Sequence, residues 1–325
     1  MITKSPFRPA WWLPGPHLQT LWPRFARQRP RTPTRRERLD LPDGDFVDLD
    51  WTLGSAGPLV CVFHGLAGSI DSPYAGGILT ALHDAGMRAV LLHFRGCSGE
   101  PNRLARAYHS GDTGDIRFLV ETLRQRGEQG PLGGIGFSLG ANALLKYLGE
   151  EGERCPLQAA VAVSPPLVLS VGADTLRRGF ARVYQRYLLR QLQAAAQAKA
   201  HLLPATVDLQ KVLQARDFWA FDDAFTAPLH GFRDVHQYYA DASSRPWLGR
   251  IAVPTLIVNS RDDPFWTPAV LPEPHELGLR VTLELSARGG HVGFVQGDGQ
   301  SWLDVRLPTW LAATLGPRET ATAAP

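Results

Sequence analysis

The pentapeptide Gly136-Phe137-Ser138-Leu139-Gly140 closes an apolar run, GGIGF (133–137), and opens a segment with helical spacing, 139–149. A serine hydroxyl projects from the end of a strand only if the chain reverses sharply at that residue. The reversal is strained, and it tolerates only small side chains two positions before and two after. Gly136 and Gly140 meet that condition, so the motif reads as a nucleophile elbow carrying Ser138. Serine is a weak nucleophile at neutral pH and needs a histidine to take its proton and a carboxylate to hold the imidazole. His291, within Arg288-Gly289-Gly290-His291-Val292-Gly293 and just past the run VTLEL (281–285), is the expected base. Asp262 and Asp263 follow the run TLIVN (255–259); one should orient His291 and the other cap the turn. The order serine, acid, histidine, with each residue at the carboxyl end of a strand, suits acyl transfer on an open α/β sheet.

A tetrahedral oxyanion needs backbone N–H donors, one from the residue after the nucleophile and one from an earlier strand's loop. Leu139 supplies the first, and Leu66, within His64-Gly65-Leu66-Ala67-Gly68, is the candidate for the second. His64 precedes the other members in the chain and reads as a hydrogen-bonding residue beneath that loop. His236 and Asp241 have an H-x4-D spacing used by some acyltransferases, but HisGlnTyrTyrAlaAsp is more simply a helix face. Cys97, in Phe94-Arg95-Gly96-Cys97-Ser98-Gly99, has no nearby base and reads as structural.

The elements that must position these groups alternate. LVCVF (59–63), RAVLLHF (88–94), GGIGF, AAVAV (159–163) and TLIVN are continuous apolar runs, as strands covered on both faces are, and strand character returns at VTLEL. FVDLDW (46–51) alternates like a half-buried strand, and segments 73–86, 113–126 and 139–149 have helical spacing. The pattern predicts an α/β fold with a mostly parallel, doubly wound sheet over 39–165 and 249–316. Between 166 and 248 strand character disappears, which predicts an inserted helical cap. There Arg178, Arg182, Arg186 and Arg190 recur every four residues and read as a solvated helix face.

The chain has 325 residues, 44% hydrophobic and 20% charged, an ordinary globular composition that argues against a disordered or fibrous chain. No apolar run is long enough to cross a membrane, and the N-terminus shows no secretory pattern. Three cysteines without metal-ligand spacing fit reduced thiols in the cytoplasm. No zinc pattern, phosphate loop or dinucleotide fingerprint is present. The net charge of +3 conceals an asymmetry, since residues 1–38 hold nine Lys or Arg against Glu37 alone. This proline- and tryptophan-containing segment is expected to be an arm packed on the core, with peripheral contact to an anionic membrane as the alternative and nucleic acid not expected. Residues 317–325 should form a frayed tail.

The sequence resembles the YheT-like branch of the α/β-hydrolase superfamily, which includes eukaryotic abhydrolase-domain lipases and yeast medium-chain fatty-acid ethyl ester synthase/esterases. The likeness rests on Pro16-His17-Leu18-Gln19-Thr20, His64-Gly65-Leu66, Tyr108-His109-Ser110-Gly111, GFSLGAN, FDDAFTAPLHGF, RDDPF and GGHVGF. The resemblance implies the triad Ser138, Asp263 and His291, the second aspartate of the string being the acid. It further implies hydrolysis or transfer of carboxylic ester acyl groups, often of medium length, without metal or organic cofactor. The expectation is therefore a serine carboxylic ester hydrolase acting on short- to medium-chain acyl esters. An alcohol acyltransferase with the same triad is the first alternative, and a non-catalytic binding protein of the same fold the second.

Overall fold

A computed structural model describes residues 1–25, 32–54 and 56–316. The expected tail 317–325 and part of the expected arm, 26–31, lie outside the described residues. Nine strands, numbered along the chain, form one sheet among them: β1 Ile2–Lys4, β2 Thr34–Asp40, β3 Phe46–Thr52, β4 Leu59–Phe63, β5 Arg88–His93, β6 Leu132–Phe137, β7 Ala159–Val163, β8 Thr255–Ser260 and β9 Val281–Ser286. Their spatial order is β1-β9-β8-β7-β6-β4-β5-β3-β2. Neighbours from β1 through β5 run parallel, and β3 and β2 add antiparallel at one edge.

Alternate side chains of each central strand serve two separate cores, which is why the runs are continuously apolar. On β4, Leu59, Cys61 and Phe63 join one core, and Val60 and Val62 join the other. The first core is closed by α3 (Gly114–Gln125) and α4 (Leu139–Glu151), through Leu119, Leu123, Leu144 and Leu148. The second is closed by α2 (Ala75–Asp84) and α11 (Leu303–Leu315), through Ile78, Leu82, Leu307 and Leu311. The sheet is thus layered by helices on both sides, the α/β-hydrolase architecture.

Segment 1–38 does more than pack on the outside. Along the chain, helix α1 (Pro16–Phe25) follows β1, which pairs with β9, and precedes β2, which pairs with β3 at the opposite edge. The β2 sequence TRRERLD hides its strand character because two of its three arginines are partnered across the pair. Arg36 and Arg38 form two-pronged ion pairs with Asp50 and Asp48 of β3. Charge on an edge strand also discourages pairing with other chains.

Between β7 and β8 the chain is helical: α5 Leu169–Leu176, α6 Ala181–Ala198, α7 Leu209–Gln214, α8 Phe218–Phe221, α9 Ala227–Leu229 and α10 Val235–Ala242. These helices pack on cores of their own, one around Tyr184, Phe218, Tyr238 and Tyr239, the other around Leu189, Val212, Phe221 and Phe225.

Candidate active site

Ser138 sits at the turn from β6 into α4 with φ 51° and ψ −116°, a conformation that a non-glycine residue enters only under strain. A Cβ at position 136 would lie 2.5 Å from Gly140 O, and one at 140 would lie 2.5 Å from the carbonyl oxygens of Phe63 and His64. Both glycines are therefore dictated by sterics: the elbow closes on itself and is pressed against the end of β4.

His291 Nε2 is 2.9 Å from Ser138 Oγ, and His291 Nδ1 is 2.9 Å from Asp263 Oδ2. A carboxylate only accepts, so Nδ1 carries the proton and Nε2 is left to receive the serine's. Asp263 and His291 are both buried. Burial pushes the Asp263 carboxyl upward, and the His291 and Phe265 donors that reach it pull it back. The imidazole is clamped between Phe265, stacked at 3.9 Å, and the edge of Trp266 at 5.0 Å.

The two adjacent aspartates divide the work differently from the expectation that one orients His291 and the other caps the turn. Asp263 does both tasks, orienting His291 with Oδ2 while Oδ1 accepts the Phe265 N–H at 2.9 Å. Asp262 reaches across to the histidine loop, where Oδ1 accepts the Gly290 N–H at 3.0 Å. That loop is also held by α1. The His291 N–H donates to Thr20 Oγ1 at 2.9 Å, and Gln19 bonds both the N–H and the C=O of Val295. A Cβ at Gly293 would stand 2.3 Å from Gln19 O, so this close approach of α1 requires glycine there. The only sequence signal for Gln19 and Thr20 was the Pro16–Thr20 string that carries the family resemblance; nothing local marks them as site residues.

The predicted oxyanion loop follows β4. The Gly65 N–H donates to Tyr74 Oη and the Ala67 N–H to Tyr108 Oη, each at 2.7 Å, and the Gly68 N–H donates to Gly65 O. Leu66, whose amide lies between the two clamped ones, lines the same cavity as Ser138 and Leu139. Leu139 is the first residue of α4, where an amide has no partner within the helix. Both tyrosines went unremarked as site residues, because they lie 9 and 41 residues from the amides they hold.

His64 is fully buried; its Nε2 accepts the Phe94 N–H and its Nδ1 donates to Gly65 O. Burial lowers its pKa to about 3, so it stays neutral and braces the loop. Cys97 packs against Tyr108, and burial pushes its thiol up to about 12, which removes the nucleophilic thiolate at neutral pH. His236 and Asp241 are exposed on α10, where the ring meets Trp219 and the carboxylate accepts from Gln237; neither lines the cavity. Among the described residues no three His, Cys, Asp or Glu side chains gather as a metal site requires.

Ser138 opens on a cavity of about 500 Å³. Core residues Leu66 and Leu139 form one side, and Leu169, Leu176, Leu192 and Phe218 of the inserted helices form the other.

Residues 58–298 match the α/β-hydrolase fold family. The candidate esterase YheT of Escherichia coli K12 is 44% identical over 308 residues, covering 92% of this chain and 91% of that protein. The chain belongs to the YheT-like α/β-hydrolases. A further relative of this hydrolase is the medium-chain fatty acid ethyl ester synthase/esterase 2 of Saccharomyces cerevisiae. It is 32% identical over 308 residues, covering 86% of this chain and 65% of the yeast protein. Among solved structures, an esterase of Pyrococcus furiosus superposes with a TM-score of 0.59 at 17% identity, covering 97% of this chain and 98% of that one. At that identity the likeness concerns the fold alone.

Proposed function

We propose that this α/β-hydrolase is a serine carboxylic ester hydrolase that works through an acyl-enzyme on Ser138. The observation that carries the reading is the unbroken relay from Ser138 Oγ through His291 to Asp263, 2.9 Å at each step, opening on an apolar cavity. Oγ attacks the ester carbonyl as its proton passes to His291 Nε2, and Asp263 stabilises the imidazolium. The oxyanion lies against the Leu66 and Leu139 N–H groups. Collapse expels the alcohol, which takes the proton back from Nε2. Water then repeats the sequence, releasing the carboxylic acid and free Ser138.

The inserted helices act as a cap that selects the acyl group. With leucine and phenylalanine lining the far side and about 500 Å³ available, the cavity suits short to medium acyl chains. Each methylene buried contributes about 0.8 kcal/mol, so kcat/KM should climb severalfold per two-carbon step until the cavity is full. A series of p-nitrophenyl esters from acetate to palmitate, below micelle formation, tests this. A steady decline from acetate would remove the acyl cavity from the mechanism, and unchanged turnover in Ser138→Ala would remove the serine. The name of the yeast relative favours one second reading, in which an alcohol replaces water in resolving the acyl-enzyme. Products formed with added ethanol separate the two. A non-catalytic binding role has no use for the relay, and labelling of Ser138 by a fluorophosphonate would exclude it.

A further inference from the structure

The basic residues of this chain are concentrated in two segments, and one helix of each meets the other in the fold. Segments 1–38 and 175–207 carry 15 Lys or Arg and one Glu, while the rest of the chain carries 19 Lys or Arg against 30 Asp or Glu. Helices α1 and α6 lie within them and touch: the His17 ring sits 4.5 Å from that of Phe180, and Arg24 donates to Tyr187 Oη at 3.1 Å.

Projected at about 100° per residue, α6 divides into three faces. Ala181, Tyr184, Gln185 and Leu189 are buried against the cap core, and Arg182, Arg186 and Arg190 are exposed beside them. The third face is apolar and also exposed: Phe180 is 48% accessible, Val183 53% and Tyr187 49%. Helix α1 extends it with Leu18 at 47% and Phe25 at 80%, two turns apart on one side. Among the described residues the ion pairs here belong to Arg177, with Asp174 and Asp217; Arg178, Arg182, Arg186 and Arg190 meet no carboxylate.

We propose that this α1/α6 face docks on the surface of an anionic lipid bilayer. Protruding aromatic and aliphatic side chains flanked by uncompensated arginines match the acyl and headgroup layers of an anionic leaflet. Arg182, Arg186 and Arg190 on this face favour its turning toward an anionic surface. A second copy fits poorly, because a two-fold contact through this face would set arginine against arginine with no acid between 175 and 207 to separate them. The inner side of α1 holds the His291 backbone through Thr20, so docking would bring the lipid surface to within one helix of the relay.

The test is flotation of the full-length Ser138→Ala protein with vesicles of phosphatidylcholine, with and without phosphatidylglycerol. It measures docking independently of any esterase activity. Binding should require phosphatidylglycerol and weaken with salt. Arg182→Gln, Arg186→Gln and Arg190→Gln combined should weaken it on the order of a hundredfold, at about fivefold for each basic side chain adjoining the leaflet. Val183→Ser with Phe25→Ser should weaken it severalfold at unchanged charge. Failure to bind vesicles containing phosphatidylglycerol would overturn the proposal. So would binding that the arginine variant, with native circular dichroism, leaves intact. A dimer in sedimentation that the Val183→Ser, Phe25→Ser variant dissolves would assign the face to a second copy instead.

Discussion

Tyr108→Phe isolates the contribution of one hydroxyl to the oxyanion turn. The ring should stay in place, since it stacks on Phe94 with centroids 5.2 Å apart and planes 10° apart. What is lost is the acceptor for the Ala67 N–H, 2.7 Å away. Ala67 sits at φ 51°, where a residue with a Cβ carries about 1–2 kcal/mol of strain. An orphaned, part-buried amide adds about 1–2 kcal/mol more. Together these rival the free energy that holds a short turn in one conformation, so the Leu66 N–H beside it loses its fixed aim. Complete removal of one oxyanion donor lowers kcat by about 10²–10³, which sets the ceiling. A turn that is misplaced part of the time should lower kcat by about 10- to 100-fold with KM little changed, because the ground-state carbonyl does not yet use the hole. The assay is kcat and KM on one p-nitrophenyl ester, with thermal unfolding in parallel, where stability should fall by about 1–2 kcal/mol. Tyr74→Phe, releasing the Gly65 N–H on the other side of Leu66, should behave alike. A variant that is destabilised but keeps kcat within about twofold, or that changes only KM, would refute the positioning argument.

Three further perturbations separate neighbouring roles. Asp263→Asn presents the wrong histidine tautomer and should cost about 10⁴ in kcat, whereas Asp262→Asn keeps an acceptor for the Gly290 N–H and should cost far less; the reverse ranking would move the relay to Asp262. Thr20→Val removes the acceptor of the His291 N–H and should lower stability by about 1–3 kcal/mol and kcat with it, while Thr20→Ser should restore both; unchanged kcat in the valine variant would show that α1 does not position His291. His64, held neutral with its pKa lowered from 6.5 to about 3, takes up a proton on unfolding anywhere between those values. Stability is therefore complete above about pH 6.5 and declines as pH falls toward 3, by about 4–5 kcal/mol from this group, with His109 and His230 adding in the same direction. Calorimetric unfolding across that range measures the decline, and a flat profile would contradict the neutral, buried assignment.

Much of the scaffold was legible because its signals are local. Continuous apolar runs mark β4 to β8 because each strand feeds a core on both faces, and helical spacing over 73–86 and 113–126 marks α2 and α3 to within two residues at either end. Strands β1 and β2 left no such mark. The first is three residues long, and the second has its apolar alternation replaced by arginines, two of them with partners on another strand.

What the sequence by itself determined is where the reactive types stand along the chain. Gly136 and Gly140 around Ser138 are a steric requirement of one sharp turn, visible within five residues, and the strand ends before Asp263 and His291 are set by the same alternation. The tertiary structure alone decided which neighbours hold those groups in reach of one another. Asp262 and Asp263 are adjacent, so spacing cannot rank them; the backbone turn that points one at His291 Nδ1 and the other at the Gly290 N–H does. Thr20 meets His291 across 271 residues, and Tyr108 meets Ala67 across 41. Contacts at such separations follow no period, because each depends on how whole layers pack and not on the repeat of any one element.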